Sequence, residues 1–389
     1  MMAEKTFSPC TLTCVEAHVF RVPLERPIST SFGTMRDRPA VLVRIQDDAG
    51  MVGWGEIWCN WPACGAEHRA HLLTSDIAPR ILGRPLPEPA ALWGELTAAT
   101  EILVLQTGEV GAYAQVIAGF DMAYWDLFAR RHGISLAQAL APGASGMVRA
   151  YASGIHIGDA ERVVAQARAA GYRDFKVKVG FDFERDLALI RTLAFSLMPG
   201  ETLHADANQG FSSEQARAFL LATADLNLGW MEEPVRVDAG PAVWGELARL
   251  TTTPLAGGEN LTGQNAFYAA IRAGHLSVIQ PDVAKWGGPT GCLAVAQAAL
   301  AAGRRYCPHF LGAGIGLVAS AHVLAAAGGN GLLEIDVNPN PLRDALTPSW
   351  PSMAGGRVAL PDGKGLGVVP DLKVLESFCV LHEVSSLPT

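Results

Sequence analysis

Charge is scarce in this chain. Asp, Glu, Lys and Arg make up 17% of 389 residues, and the 30 Lys and Arg are outnumbered by 38 Asp and Glu. A formal net charge of -8 with no basic run speaks against nucleic acid and against anionic membrane surfaces as partners. Apolar runs long enough to span a bilayer, about 20 residues, are missing too. The opening MMAEKTFSPCTLTCVEAHVF carries acidic residues and no signal-type apolar block, so a cytoplasmic protein is expected. Cysteine is sparse and odd in number, at seven. Cys10 and Cys14, and Cys59 and Cys64, lack the tight double pairing of a zinc ribbon, and reduced thiols are the simpler reading. Apolar residues are what the chain does have, at 49%. That composition excludes disorder, and the length calls for one large fold plus a smaller one.

Two textures divide the sequence. The first part reads as α+β. LTCVEAHVFRV alternates like a strand, and AVLVRIQDDAGMVGWGE reads as two strands around an Asp-Ala-Gly turn. Between them, ERPISTSFGTMRDRP is rich in Pro, Ser and Gly and reads as a loop, as does IWCNWPACGAEH. Helical stretches follow near Glu67–Leu82, Pro89–Leu105 and Gly111–Arg131. From about Met147, short apolar strands alternate with Ala-rich amphipathic helices: VRAYAS, FKVKV, TLHAD, GWMEE, LAGGE, SVIQPD, RYCPH and LLEID. Eight strands in βα alternation predict a parallel barrel. The expected division is a capping domain over 1–140, a (β/α)7β barrel over 141–338, and a C-terminal segment over 339–389 that packs back on the cap.

Seven consecutive strands end in an ionisable residue: Lys178, Asp206, Glu232, Glu259, Asp282, His309 and Glu334, spaced by 28, 26, 27, 23, 27 and 25 residues. Each interval is one βα unit, so all seven side chains reach the end of the barrel where barrel enzymes place their chemistry. A lone carboxylate at a strand end is ordinarily a helix cap or a solvated group. Three on adjacent strands, Asp206, Glu232 and Glu259, would raise one another's pKa unless a cation joined them. Oxygen-only ligands suit Mg²⁺, with Mn²⁺ as a substitute. Glu233 is the alternative to Glu232, and strand alternation in GWMEEP favours Glu232.

KVKVG, DANQG, WMEEP, GGEN, PDVAKWGG, PHFLG and LLEID, together with GWGE at Gly53–Glu56, resemble the motif set of the enolase superfamily, in its mandelate-racemase-like subgroup. The resemblance covers nearly the whole chain. It implies that Asp206, Glu232 and Glu259 bind Mg²⁺ and that Lys178 is the base on one face of the substrate. It implies that His309, oriented by Asp282, is acid or base on the other face, and that Glu334 donates a hydrogen bond to the substrate carboxylate. Asn208 would touch substrate or shape the metal site. Lys285 of KWGG occurs both here and in the sister muconate-lactonizing group, which has a lysine where this chain has Asp282. Phe211 departs from the Trp common at its position. A homo-oligomer acting on a small carboxylate is implied.

Elementary chemistry supports that reading. Removing a proton α to a carboxylate gives a dianionic enediolate, which a metal can stabilise as a Lewis acid and a protonated Glu334 can assist. The base must be neutral, although an isolated lysine has a pKa of about 10.4. Lys176, two residues before Lys178 on the same strand face, is expected to depress that pKa by like charge. Phe32, Trp58 and Trp61 fall in the loops expected to lid the mouth, and Arg36 or Arg38 offers a partner for a distal carboxylate. The leading reaction is dehydration of an acid sugar, and the second is racemisation or epimerisation of a 2-hydroxy acid. A Schiff-base aldolase using Lys178 is the remoter option, for it needs no three metal carboxylates.

Overall fold

The computed structural model describes residues 9–30, 33–348 and 350–388. Its first unit is an antiparallel sheet packed on helices. Strand Cys10–Thr30 pairs with Gly33–Asp47, which pairs with Val52–Ile57. Residues 25–30 and 33–38 are therefore not the loop that their Pro, Ser and Gly content suggests. The two long strands run on past the body of the sheet as a ribbon, from Val22 opposite Arg38 to Thr30 opposite Gly33, with a register break between Pro23 and Ile28. That break holds Pro27, which has no N–H to give a ladder. Phe32 lies outside the described residues.

Helices Gly65–Leu72, Pro89–Thr107 and Val110–His132 cover one side of this sheet, the first continuing as a π turn and a further helical turn to Ile81. The glycines of GWGE explain how closely the longest helix packs. A Cβ on Gly53 would collide with the carbonyl oxygen of Ala123, and one on Gly55 with that of Gly119. Strand Val52–Ile57 thus lies directly on the helix backbone, and Glu56 projects towards the barrel.

The second unit is the expected modified (β/α)7β barrel. Strands Met147–His156, Asp174–Lys178, Thr202–Asp206, Met231–Glu232, Leu255–Gly257, Val278–Ile279 and Arg305–Tyr306 pair in parallel and in order. The eighth strand, Leu333–Asp336, pairs with the first and closes the ring. Tyr151, Trp230, Ala256, Val278, Cys307 and Leu332 form a buried cluster of their own, with Tyr151 edge-on to Trp230. Inward positions below the strand ends are therefore packed with side chains, so the barrel is a core and not a channel.

The tail returns to both units. Arg357–Ala359 pairs with the first barrel strand, and Cys379–Ser386 adds to strand Cys10–Thr30 as the edge of the cap sheet. Glu16 secures that edge. Its carboxylate meets Arg44, His18 at 3.2 Å and His382 at 3.0 Å, and the two imidazoles stack at 4.2 Å. Among the described residues no helix is long and apolar enough to cross a membrane.

Candidate active site

Strand register brings the predicted residues together. Lys178 lies beside Asp206, and Asp206 beside Glu232, at the ends of neighbouring parallel strands. Lys178 Nζ donates to Asp206 Oδ2 at 2.5 Å, and Asp206 Oδ1 accepts from the Asn208 N–H at 2.7 Å. Asn208, Gln209 and Glu233 all have positive φ, at 43°, 64° and 36°. Left-handed backbone is unfavourable for residues with a Cβ and gathers at functional sites. Here it turns the chain sharply after Asp206 and Glu232.

On the far side, His309 Nδ1 lies 2.8 Å from Asp282 Oδ2, while Nε2 lies 2.5 Å from Glu259 Oε2. The Asp282 contact fixes the ring orientation and leaves Nε2 facing the acids. Burial works against protonation of His309, but Glu259, Glu334 and Asp282 outweigh it and raise its pKa.

Lys176 departs from expectation. It is wholly buried beneath the site, 2.7 Å from Glu232, 2.8 Å from Glu334 and 3.4 Å from Asp206. Lys178 keeps 20% of its side chain exposed and so reaches the pocket. Burial presses the Lys178 pKa down, and so does Lys176, as argued from sequence, yet Asp206, Glu259 and Glu232 together outweigh them and the net direction is upward. Glu334 differs as well. It accepts from Ser153 Oγ at 2.5 Å and from the Phe310 N–H at 3.1 Å. Burial would raise its pKa, but Lys176 and His309 hold it low. Lys176 and His309 thus favour the accepting carboxylate form of Glu334 over the donating acid.

Glu232 and Glu233 divide in an unforeseen way. Glu232 is turned into the barrel, with Oε1 on Lys176 and Oε2 accepting from Gln280 at 2.7 Å and Trp230 at 3.1 Å. Glu233 is buried, accepts from Asn260 on Oε2 at 2.8 Å, and leaves Oε1 without a partner. Burial, then Glu259 and Asp206, raise its pKa well above the ordinary carboxylate range. Asp206, Glu232, Glu233, Glu259, Asp282 and Glu334 set six carboxylates against Lys176, Lys178 and Lys285. An orphaned buried oxygen within an excess of buried acid fits a hard divalent cation held by oxygen.

The mouth is more mixed. Lys285 Nζ donates to Asn260 Oδ1 at 2.8 Å and lies 4.8 Å from the centre of the Trp58 ring. Trp61, half-buried, packs against Gly33 of the ribbon. Arg36 is exposed on that ribbon. Arg38 is buried and committed to Asp336 at 2.8 Å, so it is a clamp between ribbon and barrel and not a free partner for a distal carboxylate. Sequence reasoning missed Ser153, Gln280 and Asn260. Alternation could have found Gln280, two residues before Asp282 on the same strand face.

Comparison with known proteins places the fold in a family. Residues 14–141 match the family "Mandelate racemase / muconate lactonizing enzyme, N-terminal domain", and residues 159–374 match "Enolase C-terminal domain-like". A D-galactarolactone cycloisomerase of Agrobacterium fabrum is 28% identical, over 94% of this chain and 98% of that protein. The crystal structure of a mandelate racemase/muconate lactonizing enzyme from Bordetella bronchiseptica RB50 is 49% identical with a TM-score of 0.89, over 96% of this chain and all of that one (100%). A racemase from Streptomyces coelicolor A3(2), solved with bound magnesium, is 26% identical with a TM-score of 0.84, over 95% of this chain and 100% of that one. Other relatives include a dehydratase, racemases and an epimerase. The chain belongs to the mandelate racemase/muconate lactonizing enzyme family of the enolase superfamily.

Proposed function

We propose that this enzyme removes the proton α to the carboxylate of a sugar acid, by way of an enediolate, and that loss of the β-hydroxyl follows. The observation that carries the reading is the convergence of buried acids between two candidate bases, Lys178 on Asp206 and His309 on Glu259. Asp206, Glu232 and Glu259 would hold Mg²⁺, or Mn²⁺ in its place, with Glu233 the competitor for the second position. When bound, such an ion supplies Lewis-acid stabilisation of the substrate carboxylate.

The chain's own groups do the remaining work. Lys178 takes or returns a proton on one face of the α-carbon, and His309 Nε2 does so on the other. Lys176 stands beneath them as a fixed positive charge, and its field favours the neutral form of Lys178. Asp282 holds the His309 ring so that Nε2 faces the pocket. Glu334, ion-paired to Lys176, shapes the floor on which the substrate carboxylate rests. Trp58, Trp61 and Lys285 would flank the substrate and keep water from the enediolate, with Asn208 and Arg36 as further contacts. The names of D-galactarolactone cycloisomerase and arabinonate dehydratase among the relatives support a sugar-acid substrate. Racemisation or epimerisation is the second reading, because a base on each face is what inversion requires.

The test is a panel of sugar acids and mandelate in D₂O with Mg²⁺, read by mass spectrometry. Loss of water, with solvent deuterium delivered to the β-carbon as the enol product becomes a 2-keto acid, is the expected result, and EDTA should abolish both. Deuterium uptake with inversion and no water loss would move the assignment to an isomerase. Trapping of Lys178 by borohydride with a carbonyl substrate, unaffected by EDTA, would replace it with Schiff-base chemistry.

A further inference from the structure

The cap reaches into the site from behind. Two of its buried carboxylates end on the barrel, each at the start of a helix that follows one half of the Asp282–His309 pair. Asp121, on helix Val110–His132, accepts from the Thr290 N–H and from the Thr290 hydroxyl, both at 2.9 Å. Thr290 is in the first turn of helix Gly288–Ala301. Glu56 accepts from the Ala313 N–H at 2.6 Å and the Gly316 N–H at 2.8 Å, at the start of helix Gly314–Ala327. Neither helix has a side-chain cap from its own N-cap residue. The N–H groups left open at the start of each helix are met instead by a carboxyl group from the other unit.

The turns next to the pair are held the same way. The Trp58 N–H donates to the Ala284 carbonyl at 3.1 Å, two residues after Asp282. Asn60 Nδ2 donates to the Leu311 carbonyl at 2.9 Å, two residues after His309. Trp125 Nε1 donates to the Thr290 hydroxyl at 2.8 Å. A Cβ on Gly288 would strike Asp121, and one on Gly312 would lie 2.6 Å from Glu56 Oε1. The Lys178 side is different. Its turn is held from within the barrel, where Asp186 Oδ2 accepts from the N–H groups of Gly180, Phe181 and Asp182 at 2.8, 2.9 and 3.3 Å.

We infer that Glu56 and Asp121 are positioning residues for the Asp282–His309 pair, so that the cap sets the geometry of one proton-transfer face and leaves the Lys178 face to the barrel. The inference rests on the proposed role of His309 as a proton-transfer group. It goes beyond that role in making the cap a part of the acid–base machinery.

The experiment uses the full chain with Mg²⁺ and the variants Glu56→Gln, Asp121→Asn and Asn60→Ala. One readout needs no substrate: the ring ¹⁵N signals of His309, assigned by their loss in His309→Asn. The other is face-resolved deuterium exchange on whichever acid of the panel the parent enzyme turns over. A displacement of about 1 Å can cost roughly 100-fold. We expect shifted His309 signals and a loss of about that size on the His309 face in Glu56→Gln and Asp121→Asn. Lys178-face exchange should stay within about twofold of the parent, for its support is separate. Asn60→Ala removes one exchangeable contact without touching a helix end, and should show a smaller loss in the same direction. Unchanged His309 signals in folded variants, or equal losses on both faces, would overturn the inference. If the parent exchanges no acid at all, the proposed function is what fails, and the His309 signals still decide the positioning.

Discussion

Lys176 and Glu334 form an ion pair at 2.8 Å that solvent does not reach, with Glu232 on the same ammonium at 2.7 Å. Charges buried this deeply depend on one another. Taking the lysine away leaves two carboxylates in a low-dielectric interior without the ammonium they share. Lys176→Met, which keeps the volume and removes the charge, should destabilise the barrel by about 3–5 kcal/mol. Urea denaturation checks this, and a midpoint equal to that of the parent would mean the pair is not the buried unit described.

Lys178→Ala and His309→Asn should separate the two faces of the substrate. Each should lower α-proton exchange on its own face by about 10²–10⁴-fold, the usual range for general acid–base catalysis. The opposite face should keep its exchange. Deuterium incorporation into each enantiomer of a 2-hydroxy acid reads the result, and parent-like exchange on both faces in both variants would remove the assignment.

Glu232→Gln, Glu233→Gln and Glu259→Gln address the ion. If Glu232 is the ligand, its loss and that of Glu259 should each weaken Mg²⁺ binding by calorimetry about 10-fold or more, with Glu233→Gln closer to the parent. The reverse order for 232 and 233 would give the position to the residue whose Oε1 lacks a partner in this structure.

Asp121 carries a pH dependence. Burial pushes its carboxyl up to about 8, against the lowering pull of the Thr290 N–H and hydroxyl. A carboxyl with a folded pKa above its unfolded value of about 3.9 favours the folded state when protonated, and that stabilisation is lost as pH rises. The window therefore runs from about 4 up to about 8. Asp121→Asn should flatten the fall in Tm across it, and an identical slope in the variant would show the group does not titrate there.

Glu16 has the opposite sign. His18 holds its pKa down to about 2 against burial, with His382 and Arg44 adding to the effect. Its stabilisation is present above the unfolded value of about 4.3 and is lost as pH falls towards the folded one. Amide exchange in strand Cys379–Ser386 should accelerate between about pH 4 and pH 2, and Glu16→Gln should remove that dependence.

Much of the site was readable in the sequence because a barrel turns spacing into position. Residues such as Asp206 and Asp282 sit where packing gives no reason for charge, and each falls one βα unit from the next. The partners of each charge were not readable. The KVK pattern gave two lysines on one face, but not that Lys176 would be buried on two glutamates or that Asp206 would override its effect on Lys178. Arg38 looked like a surface arginine because Asp336 is remote in sequence. The ribbon at residues 25–30 and 33–38 read as a loop because turn residues dominate it, while the neighbour strand that recruits it is a tertiary fact. GWGE was noticed as a motif, yet the contact that explains Glu56 is to helix Gly314–Ala327, more than 250 residues away.

The pairing of Cys379–Ser386 with the opening strand bears on how the protein is made. Cys379–Ser386 is synthesised long after strand Cys10–Thr30, so that strand must wait for its outer neighbour until the whole barrel between them has been made. Deleting residues 379–386 would therefore wound strand Cys10–Thr30, far away in sequence, as much as the segment that was cut.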